Sequence, residues 1–227
     1  MEKAFLAEIV ENPEDDDPRL VYADWLEERG EPRAEFIRVQ CEHAQMKSVA
    51  PTLLPEWNRE NRLLHANERR WMKELRPFLI NWTFERGFVE QVCMRGSVVL
   101  SDGDRVFGRS PIRELRIKGQ DAPLKKIAWA PCLRRLRSLV LDGGKATLAD
   151  VEALSRSPFA DNLAVLKLPR LHLGDAGALI LANAQLFPKL TVLDLRGDDA
   201  GFTAKTVKRL KYRFGEGLML TGPSQPR

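Results

Sequence analysis

Two observations predict an α/β fold: an apolar triplet recurs through the C-terminal part at a steady interval, and helical apolar spacing fills both the gaps between triplets and the first forty residues. The expected architecture is a solenoid with a parallel sheet on one face and helices on the other, preceded by an all-α module. The chain has 227 residues, 44% of them hydrophobic, enough for one large domain or two small ones. The expected division is a helical module at 1–46, a linker and long helix at 47–87, repeats at 88–222 and a short tail at 223–227.

The module reads as three short helices. Residues 3–11 set Phe5, Leu6, Ile9 and Val10 at helical spacing. After Asn12-Pro13 and the acidic run Glu14-Asp15-Asp16-Asp17, the pair Asp17-Pro18 reads as a capping carboxylate followed by proline in the first helical turn. The helix over 18–29 presents Leu20, Val21 and Trp25, and Gly30 suits its C-terminal cap. Pro32 opens a third helix carrying Ala34, Phe36, Ile37 and Val39. Asp24 and Arg38 interrupt these apolar faces and are read as a structural polar pair locking two helices, since a buried charge needs a partner. The aspartate run lacks the alternating spacing and later bidentate glutamate of a calcium loop.

The string Phe5-Leu-Ala-Glu-Ile-Val-Glu-Asn-Pro-Glu-Asp-Asp-Asp-Pro-Arg-Leu-Val-Tyr-Ala-Asp-Trp-Leu-Glu-Glu-Arg-Gly, with Ala34-Glu-Phe-Ile-Arg-Val-Gln40, resembles the repeat-companion domain, a short bacterial module usually found ahead of leucine-rich repeats. The resemblance spans residues 2–40, and its most specific part is Pro18-Arg-Leu-Val-Tyr-Ala-Asp-Trp-Leu-Glu. It implies a companion to repeats and no established catalytic residues.

Residues 47–55, with Pro51 and Pro55, read as a linker, and 56–76 as one long helix that Pro77 ends. Trp57 and Trp71 are expected on one buried stripe of that helix.

The triplets then follow: Val89-Val92-Met94, Ile112-Leu115-Ile117, Leu136-Leu139-Leu141, Leu163-Leu166-Leu168, Leu190-Leu193-Leu195, and a degraded Gly215-Leu218-Leu220. Their middle positions lie 23, 24, 27, 27 and 25 residues apart. L-x-x-L-x-L at this period is the strand signature of a leucine-rich repeat, here in about five to six units. Helices are expected at 146–157 with a Thr147/Asp150 capping box, at 175–186 with Asp175 as N-cap, and at 203–213. The segment Leu190-Thr-Val-Leu-Asp-Leu, with Leu173-Gly-Asp-Ala-Gly-Ala-Leu-Ile-Leu-Ala ahead of it, is similar to ribonuclease-inhibitor-type leucine-rich repeats over about residues 110–220. That family places Asn or Cys three residues after the last strand leucine; here Gly144, Leu171 and Asp198 stand there, so irregular turns are expected.

Strand alternation turns the leucines inward and the residues between them outward. The expected partner-binding set is Arg95, Arg116, Lys118, Val140, Val165, Lys167, Val192, Asp194 and Arg196, an apolar valine streak inside a basic rim. Charge is uneven along the chain. Residues 1–40 carry 12 acidic and 5 basic side chains, whereas 105–145 carry 11 basic and 3 acidic. The first expectation is therefore a non-enzymatic protein that binds another protein through the open sheet, with no cofactor, metal or small-molecule substrate. The alternative is nucleic-acid binding through the basic 105–145 segment.

Other classes are excluded by what the chemistry would need. No apolar run approaches the roughly 20 residues that cross a bilayer, and the acidic start does not suit a signal peptide. Cys41, Cys93 and Cys132 form no CxxC pair and fit a reducing cytoplasm. His43, His65 and His172 show no metal spacing, there is no GxSxG elbow or phosphate loop, and Ser-Asp-Gly-Asp at 101–104 reads as a turn with a helix cap.

Overall fold

The structure, a computed structural model, describes every residue except 47–54, 120, 144–146, 169–172, 184, 198–200 and 221–227, and no side chain of 55–57. Gly144, Leu171, Asp198, His172 and the Trp57 side chain thus lie outside the described residues. The chain forms two compact units, Met1–Val92 with Arg105–Ile112, and Cys93–Asp104 with Arg113–Arg227. Seven strands are hydrogen-bonded in chain order.

In the first unit, α1 (Glu2–Glu11), α2 (Asp17–Glu27) and α3 (Arg33–Gln45) are followed by α4 (Pro55–Trp71) and by strands β1 (Asn81–Glu85) and β2 (Phe88–Met94). Helix α2 starts one residue earlier than expected, with Asp16 as N-cap and Pro18 in the first turn. Gly30 takes φ +65° and closes the helix through Glu31 N–H donating to Leu26 O at 3.1 Å. Helix α4 ends at Trp71 rather than near 76, before a 3₁₀ turn at Arg76–Phe78. Trp71 packs on Phe36 at 4.8 Å and Phe84 at 6.1 Å between ring centroids.

The sequence reading missed the β1–β2 hairpin. Arg86 (φ +50°) and Gly87 (φ +86°) form its two-residue turn, and positive φ at both positions matches the right-handed strand twist. Phe88 then enters the helical core with Ile9, Tyr22, Ala23, Leu26, Ala34, Ile37 and Cys41. Burying one such ring is worth about 1.5–3 kcal/mol. The α-module is therefore built around a hairpin that follows it by forty residues.

Side chains of α2 and α3 grip the turn. Gln40 accepts from the Gly87 N–H at 2.7 Å and donates to Glu60 at 2.7 Å, and Arg33 donates to Gly87 O at 3.2 Å. A Cβ at Gly87 would collide with Ile37, so glycine is required there twice over. Beneath the turn, fully buried Arg19 meets Glu90 at 2.9 Å, and Arg86 meets Glu90 at 3.0 Å and Asp16 at 3.2 Å.

The second unit alternates strand and helix. After α5 (Gly96–Phe107), shared with the first unit, come β3 (Glu114–Lys118), α6 (Leu124–Ile127), β4 (Ser138–Asp142), α7 (Leu148–Ser155), β5 (Val165–Lys167), α8 (Gly174–Leu181), β6 (Val192–Asp194), α9 (Ala204–Phe214) and β7 (Leu218–Met219). Strands β3 to β7 are parallel, and Leu115, Leu139, Leu166, Leu193 and Leu218 occupy one rung. The middle residues of five triplets thus stack in register, and the first four of these leucines are fully buried. Neighbouring strands are tied by one recurring device: Arg113 O accepts from both Arg137 and Ser138 N–H, Arg137 O from Ala164 and Val165, and Ala164 O from Thr191 and Val192. Helices α6 to α9 pack each on the next. Residues 101–104 lie inside α5 rather than in a turn, and Gly103 is needed there because a Cβ would press on Cys132 Sγ at 2.8 Å.

Aspartates stitch successive helices together. Thr147 and Asp150 form the expected capping box, and Asp150 Oδ1 also accepts from Lys125 N–H at 2.8 Å at the start of α6. Asp121 does the same for Gly96 N–H at 2.9 Å. Asp175 is not the cap of its own helix; it lies in the first turn of α8 and accepts from Thr203 N–H at 2.9 Å, ahead of α9. Burial opposes ionisation of Asp150, but the hydrogen bonds from Thr147 and Lys125 outweigh it and hold its pKa below the ordinary value. Replacing Asp150 with alanine is expected to cost about 1–2 kcal/mol, since two helix ends lose an acceptor. A depressed folded pKa adds stability above the unfolded carboxylate range and loses it as pH falls through the folded value. Urea titrations should therefore show wild type and D150A converging in acid. A gap unchanged down to the acid limit would contradict this role.

Candidate partner-binding face

The outward residues of the second unit form three rows across the strands. The first is Glu114, Ser138, Val165 and Val192; the second is Arg116, Val140, Lys167, Asp194 and Met219; the third is Lys118 and Asp142. Arg95, Arg116 and Lys118 are exposed, as is Arg196, while Val165, Lys167 and Val192 are half-buried.

Two expected contact residues are not available. Val140 is only 4% exposed, because β4 is buried on both sides over Ser138–Leu141, with Arg116 and Lys167 flanking Val140 in register. It also lies in the second row, so the expected streak of three valines reduces to the adjacent pair Val165 and Val192. Asp194 is 2% exposed and is held by Arg196 through bonds of 2.9 and 2.7 Å. Burial opposes its ionisation, but Arg196 keeps its pKa below the usual range. Arg196 therefore brings little free charge to the face. Arg116 keeps more, since Asp142 stands 4.0 Å away and both side chains are about half exposed.

Met219, 37% exposed and partnered with Asp194 in register, was missed because the last triplet is degraded. Its position one residue beyond Leu218 was the available signal. Cys93, in β2, is buried; desolvation pushes its thiol pKa up, although Arg116 and Lys118 pull it down, so it stays a thiol at neutral pH.

The expected Asp24–Arg38 pair is present at 2.6 Å and joins α2 to α3, with Glu27 at 2.8 Å from the same guanidinium. It is not buried, however: the Asp24 side chain is 71% exposed. The buried ionic lock of the first unit is the Arg19–Glu90–Arg86 group instead, which sequence spacing could not show because 67 residues separate Arg19 from Arg86.

The basic 105–145 segment is divided between the two units. Arg105 lies over the Phe78 ring and Arg109 binds Glu74 at 2.6 Å, both within the first unit. Arg113, Arg135 and Arg137 of the second unit also have partners. Among the described residues, no group of three or more His, Cys, Asp or Glu side chains is placed to hold a metal ion, and no helix is long and apolar enough to cross a membrane.

These rows and ladders define the second unit as a parallel, strand-and-helix α/β unit; the first is a helical unit that contains a hairpin. No protein-family model, no curated protein and no solved structure matches the chain.

Proposed function

We propose that this is a non-enzymatic cytoplasmic interaction protein. On this reading residues 2–40 are a repeat-companion module, the second unit is a leucine-rich-repeat solenoid, and its open sheet face binds another protein. One observation carries the reading: the five-leucine rung leaves on the other side of the same sheet a half-buried Val165–Val192 pair, with Lys167 two residues along β5 and the exposed Arg116 and Lys118 two strands away on β3. A small apolar centre on a sheet face that also carries cations suits a partner with an apolar contact set among carboxylates. A sheet fixed by continuous register also loses little entropy on binding.

The test is capture from native lysate with nuclease present, comparing wild type with R116E/K118E/K167E. The expected result is an acidic protein that survives nuclease and is lost in the variant. Capture of the same set by both proteins, or of nucleic acid alone, would overturn the reading. Because Lys118 and Lys167 stand opposite Asp142 and Asp194 in register, matched melting curves of wild type and variant are needed to separate loss of the partner from unfolding.

A further inference from the structure

Helix α9 carries five basic residues and no acidic one in eleven positions. Thr206, Leu210 and Phe214 are its buried stripe. Lys205, Lys208, Arg209 and Tyr212 follow i, i+3, i+4, i+7 spacing on the opposite side, and all are exposed. Tyr212 is 94% exposed, more than any other large hydrophobic side chain among the described residues.

Three exposed arginines elsewhere meet carboxylates: Arg59 with Glu35, Arg70 with Glu31 and Arg109 with Glu74. Among the described residues, no carboxylate lies within ion-pair distance of Lys205, Lys208 or Arg209. Lys205 and Arg209 repel at i, i+4, and Lys205 in the first turn opposes the helix dipole. The dipole favours only the cations of the last turn, and one of those, Arg213, turns inward to the carbonyls of Leu181 and Phe187. A helix that keeps a self-repelling stripe around an exposed aromatic ring is suited to a polyanion that presents flat rings. The apolar stripe is already occupied by the protein's own core, so nothing remains to insert into a lipid surface.

We propose that the outer face of α9 binds single-stranded nucleic acid, with Lys205, Lys208 and Arg209 on successive phosphates and Tyr212 stacked on an unpaired base. The three cations track the backbone, and an exposed ring stacks on any base. A duplex would hide the bases from Tyr212. The inference stands apart from the sheet-face reading, since it uses none of the same residues.

The experiment is fluorescence anisotropy of the full chain with a labelled 20-nucleotide oligouridylate at several salt concentrations. A duplex of equal length, polyglutamate and phosphatidylserine vesicles serve as competitors. Wild type is expected to bind with affinity falling steeply in salt. K205Q/K208Q/R209Q should bind at least about tenfold more weakly, with the logarithmic salt slope reduced by about 2, near 0.7 for each lost phosphate contact. Y212A should lose about 5- to 100-fold while keeping the slope, and Y212F should restore binding. All four side chains are exposed, so matched circular dichroism and melting curves would separate binding from folding. R116E/K118E/K167E should leave oligonucleotide binding unchanged. The proposal is overturned by absent wild-type binding, by equal binding of the triple-Gln variant, by a neutral Y212A, by loss in R116E/K118E/K167E, or by tighter binding of duplex, polyglutamate or vesicles.

Discussion

Glu90→Ala is expected to lower the stability of the first unit by about 3–5 kcal/mol, the usual result of removing one partner from a buried ion pair. The Glu90 side chain is 2% exposed, and the Arg19 side chain it faces is fully buried. Desolvation pushes the Glu90 pKa up and the Arg19 pKa down, so burial works against both charges and each relies on the other to stay ionised. Arg86 adds a second cation, which itself needs Glu90 and Asp16. Without the carboxylate, the two guanidinium groups would be left with Asp16 and the carbonyls of Pro13, Glu14 and Arg86. The measurement is urea unfolding followed by tryptophan fluorescence. R19L/E90L should regain much of the loss, because both buried charges leave together, although leucine cannot replace the grip on the turn. A loss under about 1 kcal/mol in E90A would mean that water reaches Arg19 and that the group is no lock.

How much of this was legible beforehand depends on how local each cause is. The leucine rung was legible because one hydrophobic position per repeat must face the core, and a fixed period brings those positions into register. The Thr147–Asp150 box and the Gly30 cap were legible because their partners lie within five residues. The hairpin was not. Its turn, Arg86-Gly87, is not one of the favoured Asn-Gly or Asp-Gly pairs. Arg86 adopts a left-handed φ that is uncommon for its type, and three distant groups, Pro13, Glu14 and Asp16, hold it together with Glu90 four residues on. The candidate face was half legible. Alternation assigned the correct side to Arg116 and Lys118, but it cannot foresee that β4 is buried on both of its faces over Ser138–Leu141. Nor could it show that Asp194 would be neutralised from two residues away by Arg196.

Leu166→Ala should cost about 2–5 kcal/mol, while Val165→Ala, one residue earlier on β5, should cost less than about 1 kcal/mol. Leu166 is fully buried, with Leu139 and Leu193 on either side of it in the rung, so truncation leaves a cavity that two parallel strands cannot close without breaking register. Val165 is half-buried, and its register partners are Ser138 and Val192. The proposed function reverses the order of effects for recognition. Val165→Ala removes half of the apolar centre and should weaken partner capture at a temperature where the protein stays folded. Leu166→Ala should weaken capture only as far as it unfolds the second unit. Thermal melts paired with capture at low temperature read both quantities from one pair of variants. If Val165→Ala binds like wild type, the valine pair is not the centre of the interface, however sound the rung behind it. If Leu166→Ala melts like wild type, the rung is not the core of the repeats, and the repeat reading of the second unit fails with it.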